Sequence, residues 1–103
     1  MTLSGREGHQ RLRNMKTIRL AVIGGGSSYT PELIDGLIKR WEDNEFLAEH
    51  LALIDIPQGR DRLEVVGGFV QRMIEKAGMP CKVTRWTDIA PGLEGADFVI
   101  SQI

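Results

Sequence analysis

Apolar residues fall in short blocks along the chain, and the spacing inside the blocks alternates between two kinds. Residues 18–23 (IRLAVI) form an aliphatic, β-branched run that stops at three consecutive glycines, which predicts a short buried strand. Thr30, Pro31 and Glu32 then read as a helix cap, a proline at the first helical position and an acid in the first turn. Behind them Leu33, Ile34, Leu37, Ile38 and Trp41 share one face, predicting a helix to about residue 41. Residues 42–50 are polar and acidic and predict a surface connection, and residues 51–56 (LALIDI) predict a second buried strand. Pro57 is expected to open a longer helix, with a stripe at Leu63, Val66, Val70, Met73, Ile74 and Ala77 and an end at Gly78. Residues 81–86 (CKVTRW) alternate as a half-polar strand suited to a sheet edge. Asp88 is expected to cap one helical turn over residues 89–94, which Pro91 and Gly92 keep short, and residues 97–103 (DFVISQI) predict a fourth strand.

Strands alternating with helices imply a parallel sheet joined by right-handed crossovers. The expected fold class is α/β, a Rossmann-like parallel sheet in the order 3-2-1-4, which is the first half of a dinucleotide-binding fold. Such a half leaves the fourth strand as an apolar edge and covers one sheet face with a single turn of helix. A parallel sheet needs both faces covered, so the half-fold is expected to be incomplete. Residues 1–14 carry three arginines and one glutamate without apolar periodicity or a signal-peptide core. They are expected to be a disordered extension, with patterned sequence, and the natural start, from Met15.

The chain has 103 residues, enough for one domain or part of one. Thirteen basic and fourteen acidic residues leave a net charge of −1, which gives no footprint for nucleic acid. The apolar runs are too short to span a membrane. A single cysteine, Cys81, excludes an internal disulfide framework and makes a reducing, cytoplasmic setting the default. Cys81 has no partner at ligand spacing and is expected to be a packing or surface thiol, and neither His9 nor His50 shows metal-ligand spacing. The run holding Glu42, Asp43, Glu45 and Glu49 is expected to be a solvated face, and Trp41 and Trp86 partly buried packing residues. No nucleophile–base pair and no general acid can be assembled from these residues.

The chemistry sits in the glycines. Gly24, Gly25, Gly26, Ser27 and Ser28 lie where a strand turns into a helix, where small residues permit a tight turn and close approach of a pyrophosphate. The helix behind them would aim free amides and partial positive charge at that anion, with the serine hydroxyls as further donors. The match to the dinucleotide fingerprint is partial, because Tyr29 stands where a third glycine belongs; the other reading is a glycine-rich turn serving only the strand–helix junction. No Lys-Ser/Thr follows, so a nucleoside-triphosphate loop is excluded. Asp55, at the end of the second strand, is placed to accept ribose hydroxyls and to disfavour a 2′-phosphate; its other reading is a cap for the helix after Pro57. Arg60 nearby is the residue that would instead suit a phosphate.

Residues 18–40 (IRLAVIGGGSSYTPELIDGLIKR) resemble the amino terminus of the NAD-dependent family 4 glycoside hydrolases. The continuation ALIDIPQGRDRLEVVGGFVQRMIEKAG resembles their 6-phospho-β-glucosidase branch, and LEGADFVISQI resembles their fourth strand. The resemblance implies a redox-assisted elimination and addition at the glycosidic bond: NAD oxidises sugar carbon 3, a base takes the proton on carbon 2, the aglycone leaves, water adds and the hydride returns. A divalent metal, expected to be manganese, would polarise the sugar oxygens. Gly24 to Ser28 would hold the pyrophosphate, Asp55 would stand near the adenosine ribose, and Ser101, Gln102 and Ile103 would border the nicotinamide side. The family's arginine for the sugar phosphate, its metal-binding cysteine and histidine and its tyrosine base have no counterpart in these residues, so the isolated chain is expected to be inactive. A phosphorylated β-glucoside is the implied partner of the full-length protein, expected as a homo-oligomer with no nucleic-acid or membrane partner. Two other readings share the half-fold: the start of a lactate/malate-type 2-hydroxy acid dehydrogenase, against which GGGSSYTPEL argues, and a non-enzymatic NAD- or nucleotide-sensing module. S-adenosylmethionine also suits a glycine loop and an acid, though paired serines suit phosphate better.

Overall fold

Four short strands lie side by side in the computed structural model of the chain, which describes residues 15–102. The expected extension at residues 1–14 and the final residue, Ile103, lie outside the described residues. The strands are β1 (Thr17–Ile23), β2 (Leu47–Ile54), β3 (Lys82–Trp86) and β4 (Phe98–Ser101). They pair in parallel in the order β3-β2-β1-β4, as expected, so the first strand is central and β3 is an edge. The helices are α1 (Thr30–Glu42), α2 (Arg60–Ala77) and the short α3 (Ile89–Leu93).

The main core lies between the sheet and the two long helices. Ile34, Leu37 and Ile38 of α1 and Leu63, Val70 and Ile74 of α2 pack onto Leu20, Val22, Leu51 and Leu53. Each such buried aliphatic side chain is worth about 1.5–3 kcal/mol relative to exposure. On the opposite face only a small cluster forms, around Ala21, Ala52 and Ile54, with Trp86, Leu93 and Ala96 partly buried against it. Covering helix is therefore plentiful on one side and short on the other.

Four expectations about the element ends are corrected. First, β2 begins at Leu47, not Leu51, so part of the polar stretch is strand. The cause is a register shift: Ile18 pairs with Ala48 and Arg19 with His50, which leaves Glu49 as an extra, exposed residue and breaks the alternation. Second, Thr30 is not a cap but the first residue of α1. Tyr29 holds the cap position, no side chain caps the helix, and the Thr30 hydroxyl is turned to Gln102 instead. Third, residues Pro57–Gly59 form a 3-10 turn before α2 proper, closed by the Gly59 amide donating to the Ile56 carbonyl. Fourth, Asp88 precedes α3 in extended conformation and makes no side-chain cap bond.

The C-terminus of α2 follows expectation. Gly78 is left-handed at φ 72°, its amide donates to the Glu75 carbonyl, and the Met79 amide donates to that of Ile74. This pair of bonds is a Schellman motif, and Met79, 4% exposed, supplies its apolar contact. At the amino ends of β1 and β4, Asp97 holds the two strands together: its carboxylate accepts from the Arg19 amide at 2.7 Å, and its own amide donates to the Arg19 carbonyl.

Candidate functional site

The carboxyl ends of β1, β2 and β4 converge on the glycine loop. Each of the three glycines has a separate reason to be one. Gly24 is left-handed at φ 85°. A β-carbon on Gly25 would lie 2.8 Å from Leu53 Cβ and 2.9 Å from its Cα, inside the body of β2. A β-carbon on Gly26 would lie 2.8 Å from Asp55 Oδ2 and 3.1 Å from the Leu63 amide nitrogen of α2. The loop is thus pressed against β2 and α2, and tight junction and anion cradle are properties of the same turn. Tyr29, in the place of the missing third glycine, is 70% exposed and crowds nothing.

The amides of this turn are mostly occupied from within. Those of Gly24 and Gly25 both donate to the Ile54 carbonyl at 2.8 Å. Gly26 donates to Asp55 Oδ2, Ser27 to the Gly24 carbonyl, Tyr29 to Ser27 Oγ and Thr30 to the Ser27 carbonyl. Among the described residues the Ser28 amide is the one from Gly24 to Thr30 without an internal acceptor. It lies on the exposed stretch of the loop just before α1, where helix-end charge favours an anion. Ser27, by contrast, has its oxygen engaged as an acceptor within the turn.

Asp55 stands just past β2 and half-buried. One carboxylate oxygen accepts the Gly26 amide at 2.9 Å, and the other accepts the Ile56 amide at 2.8 Å. The residue therefore does not cap the helix after Pro57; it ties the β2 loop to the glycine loop. Each oxygen keeps acceptor capacity, since an ionised carboxylate offers about four lone-pair sites. Gln102 follows β4 and its amide donates to the Ile23 carbonyl at 2.9 Å, while its side-chain oxygen accepts the Thr30 hydroxyl at 3.1 Å. Gln102 thus reaches the glycine loop from the side opposite to Asp55, its backbone within 3.5 Å of a β-carbon placed on Gly24.

Beside Gly24 and Asp55 opens a cavity of about 310 Å³, lined by Ile23, Ile54, Ile56, Thr87 and Ile89 among others. Its lining is mainly aliphatic with a few polar groups, Asp55, Thr87 and Asp88, the usual make-up of a small-molecule pocket. Arg60 lies on the outer side, in a shallow cleft with Pro57, Gln58 and Asp61.

Sequence reasoning missed a polar row on the thinly covered face of the sheet. Arg19 Nη2 donates to His50 Nδ1 at 3.2 Å, His50 Nε2 meets Thr84 Oγ1 at 2.9 Å, and Trp86 Nε1 donates to the same hydroxyl at 2.9 Å. Only the strand register brings these residues into line. Among the described residues no group of three or more His, Cys, Asp or Glu is placed to hold a metal ion. Burial pushes the Cys81 thiol up to about 12, opposed in part by a backbone hydrogen bond from Leu51, so it is neither nucleophile nor ligand at neutral pH.

Comparison with known proteins agrees with this fold and identifies the family. Residues 19–103 match the family model described as "Family 4 glycosyl hydrolase". A "Probable 6-phospho-beta-glucosidase" of Bacillus subtilis (strain 168) is 46% identical over 87 residues, 84% of this chain and 19% of the relative. The "6-phospho-beta-glucosidase" of Escherichia coli (strain K12) is 42% identical over 86 residues, again 84% of this chain and 19% of the relative. Among solved structures, the 6-phospho-beta glucosidase of Thermotoga maritima with NAD and glucose-6-phosphate superimposes at a TM-score of 0.69 with 34% identity, covering 85% of this chain and 20% of that one. A 6-phospho-alpha-glucosidase from gut microorganisms in complex with NAD and Mn2+ gives a TM-score of 0.75 at 28% identity, covering 85% and 19%. The chain thus spans about a fifth of the length of these relatives.

Proposed function

The chain belongs to glycosyl hydrolase family 4, and from that membership we propose that residues 15–103 are the amino-terminal part of the NAD-binding domain of a 6-phospho-β-glucosidase. The observation that carries the reading is the meeting of glycine loop, Asp55 carboxylate and apolar cavity at the carboxyl ends of β1 and β2. The residues fit the cofactor. Ser28 offers an amide without an internal acceptor, and its hydroxyl with that of Ser27 adds donors for a pyrophosphate; Asp55 keeps lone pairs for ribose hydroxyls; the cavity suits the flat apolar faces of adenine. Gly24, Gly25 and Gly26 allow the loop to fold under the ligand, and Gln102 borders it from β4. When bound, NAD supplies reversible hydride acceptance from the sugar, the step that makes a neighbouring C–H acidic. This chain's own residues bind and orient the dinucleotide. Among the described residues no group of three or more His, Cys, Asp or Glu is placed to hold the manganese seen in the similar structures.

The substrate of the whole protein, on this reading, is a phosphorylated β-glucoside, as the names of the two bacterial relatives support. The family match does not favour a 2-hydroxy acid dehydrogenase or a sensor module. A cytoplasmic setting is supported by the single cysteine, and among the described residues no helix is long and apolar enough to cross a membrane. The whole protein is read as a homo-oligomer, while the apolar edge that β4 presents is the place for the rest of its own sheet.

Calorimetric titration of the chain with NAD+, NADP+, ATP and S-adenosylmethionine tests the reading. NAD+ is expected to bind in preference, with a dissociation constant weaker than about 1 μM because only part of a dinucleotide site is present. No heat with NAD+, or a preference for S-adenosylmethionine, overturns it. With the intact protein, hydrolysis of a 6-phospho-β-glucoside is expected to require added NAD+ and manganese.

A further inference from the structure

Gly59 is a glycine that its own backbone does not call for. Its φ of −95° and ψ of 10° are open to any L-residue. What a side chain there would meet is Asp55: an ideal β-carbon falls 2.9 Å from Oδ1, 3.2 Å from Cγ and 3.6 Å from Oδ2, and these are its three nearest heavy atoms. On the other side of the same carboxylate, a β-carbon on Gly26 would fall 2.8 Å from Oδ2. The Asp55 carboxylate therefore lies in a slot between two bare α-carbons, one from each loop. It is held there by the amides of Gly26 and Ile56.

We propose that Gly59 is a specificity-determining residue of the dinucleotide site, the space that seats the Asp55 carboxylate against the glycine loop. This rests on the NAD reading above. A methyl group at position 59 would lie 2.9 Å from Oδ1, closer than β-carbons stand to their neighbours, so one of the two must shift. The backbone at residue 59 is tied by its amide to the Ile56 carbonyl, so the flexible carboxyl group is the part that turns away. Turning it releases the Gly26 amide and removes the negative charge from the place where a ribose 2′-hydroxyl is accepted and a 2′-phosphate repelled. Arg60, exposed and next in sequence, is then the charged group left to favour a phosphate. Gly59 thus acts on the ligand through Asp55.

The test is a double-mutant cycle on the chain with Gly59→Ala, Asp55→Ala and both together, titrated with NAD+ and with NADP+. Gly59→Ala is expected to weaken NAD+ binding about tenfold and to lower the preference for NAD+ over NADP+ by a similar factor. In the Asp55→Ala background the same substitution is expected to change neither. An unaltered preference in Gly59→Ala, or a loss that persists without the Asp55 carboxylate, overturns the proposal. If Gly59→Ala alone fails to fold, recovery of the fold in the double variant supports the slot, and failure to recover it counts against it. If the unsubstituted chain binds neither dinucleotide, the NAD reading fails first and this inference falls with it.

Discussion

His50 stands between a guanidinium and a hydroxyl, and the two contacts decide where its proton sits. Arg19 can only donate, so Nδ1 accepts and Nε2 carries the hydrogen toward Thr84. A second proton on the ring would face Arg19. Burial, then the charges of Arg19 and Lys82, hold the His50 pKa below its ordinary value, against a smaller opposite pull from Glu49. With the folded value below the unfolded one, the stabilising contribution is complete above about pH 6.5 and declines as pH falls below it, where the unfolded chain takes up the proton first. Urea midpoints of the chain are expected to fall from pH 7 to pH 5, and His50→Gln is expected to flatten that part of the profile. Nothing in the sequence announced this residue's role, because its two partners come from the strands on either side of its own. The same holds for the Thr30–Gln102 bond, which joins residues 72 positions apart. Gly24 to Ser28 and Asp55 were legible, since strand ends and loop composition mark them. That Asp55 bonds two amides was not, because it depends on how close two loops approach.

Among the elements, the two long helices place the same residue type in opposite circumstances. Gly36 lies inside α1 with no heavy atom within 4 Å of where a β-carbon would be, so Gly36→Ala is expected to stabilise the chain by about 0.5–1 kcal/mol through helix propensity. Gly78 has equal room but a φ of 72°, and Gly78→Ala is expected to cost about 1 kcal/mol or more by straining the Schellman turn. Urea denaturation of the two variants separates the signs. The helices were readable in advance because Ile34, Leu37 and Ile38, and Leu63, Val70 and Ile74, keep the helical period. The start of β2 was not, since the unpaired Glu49 shifts the two-residue period between Ala48 and His50. The start of α1 departs from its sequence signal because a threonine before a proline favours capping, while the hydroxyl here finds a better-placed acceptor on Gln102.

For the molecule as a whole, the unequal covering of the sheet governs behaviour in solution. Phe98 is 54% and Val99 51% exposed on β4, whose outer edge pairs with no strand among the described residues. An apolar edge of this kind associates with another like it. Sedimentation of the isolated chain is expected to show mass rising with concentration, and Val99→Lys, which places a charge on that strand, is expected to hold it monomeric. The strand order was legible because alternating strands and helices admit few parallel topologies. That order also sets a schedule. Arg19 on β1 meets Asp97 ahead of β4 across a separation of 78 residues, so β1, once it has left the ribosome, gains β4 as its second neighbour only when those 78 further residues have been made. At about 5–20 residues per second that is an interval of roughly 4–16 s. Throughout it the growing polypeptide carries the middle of its future sheet as an open flank, and a chaperone that shields nascent β1 would act within those seconds.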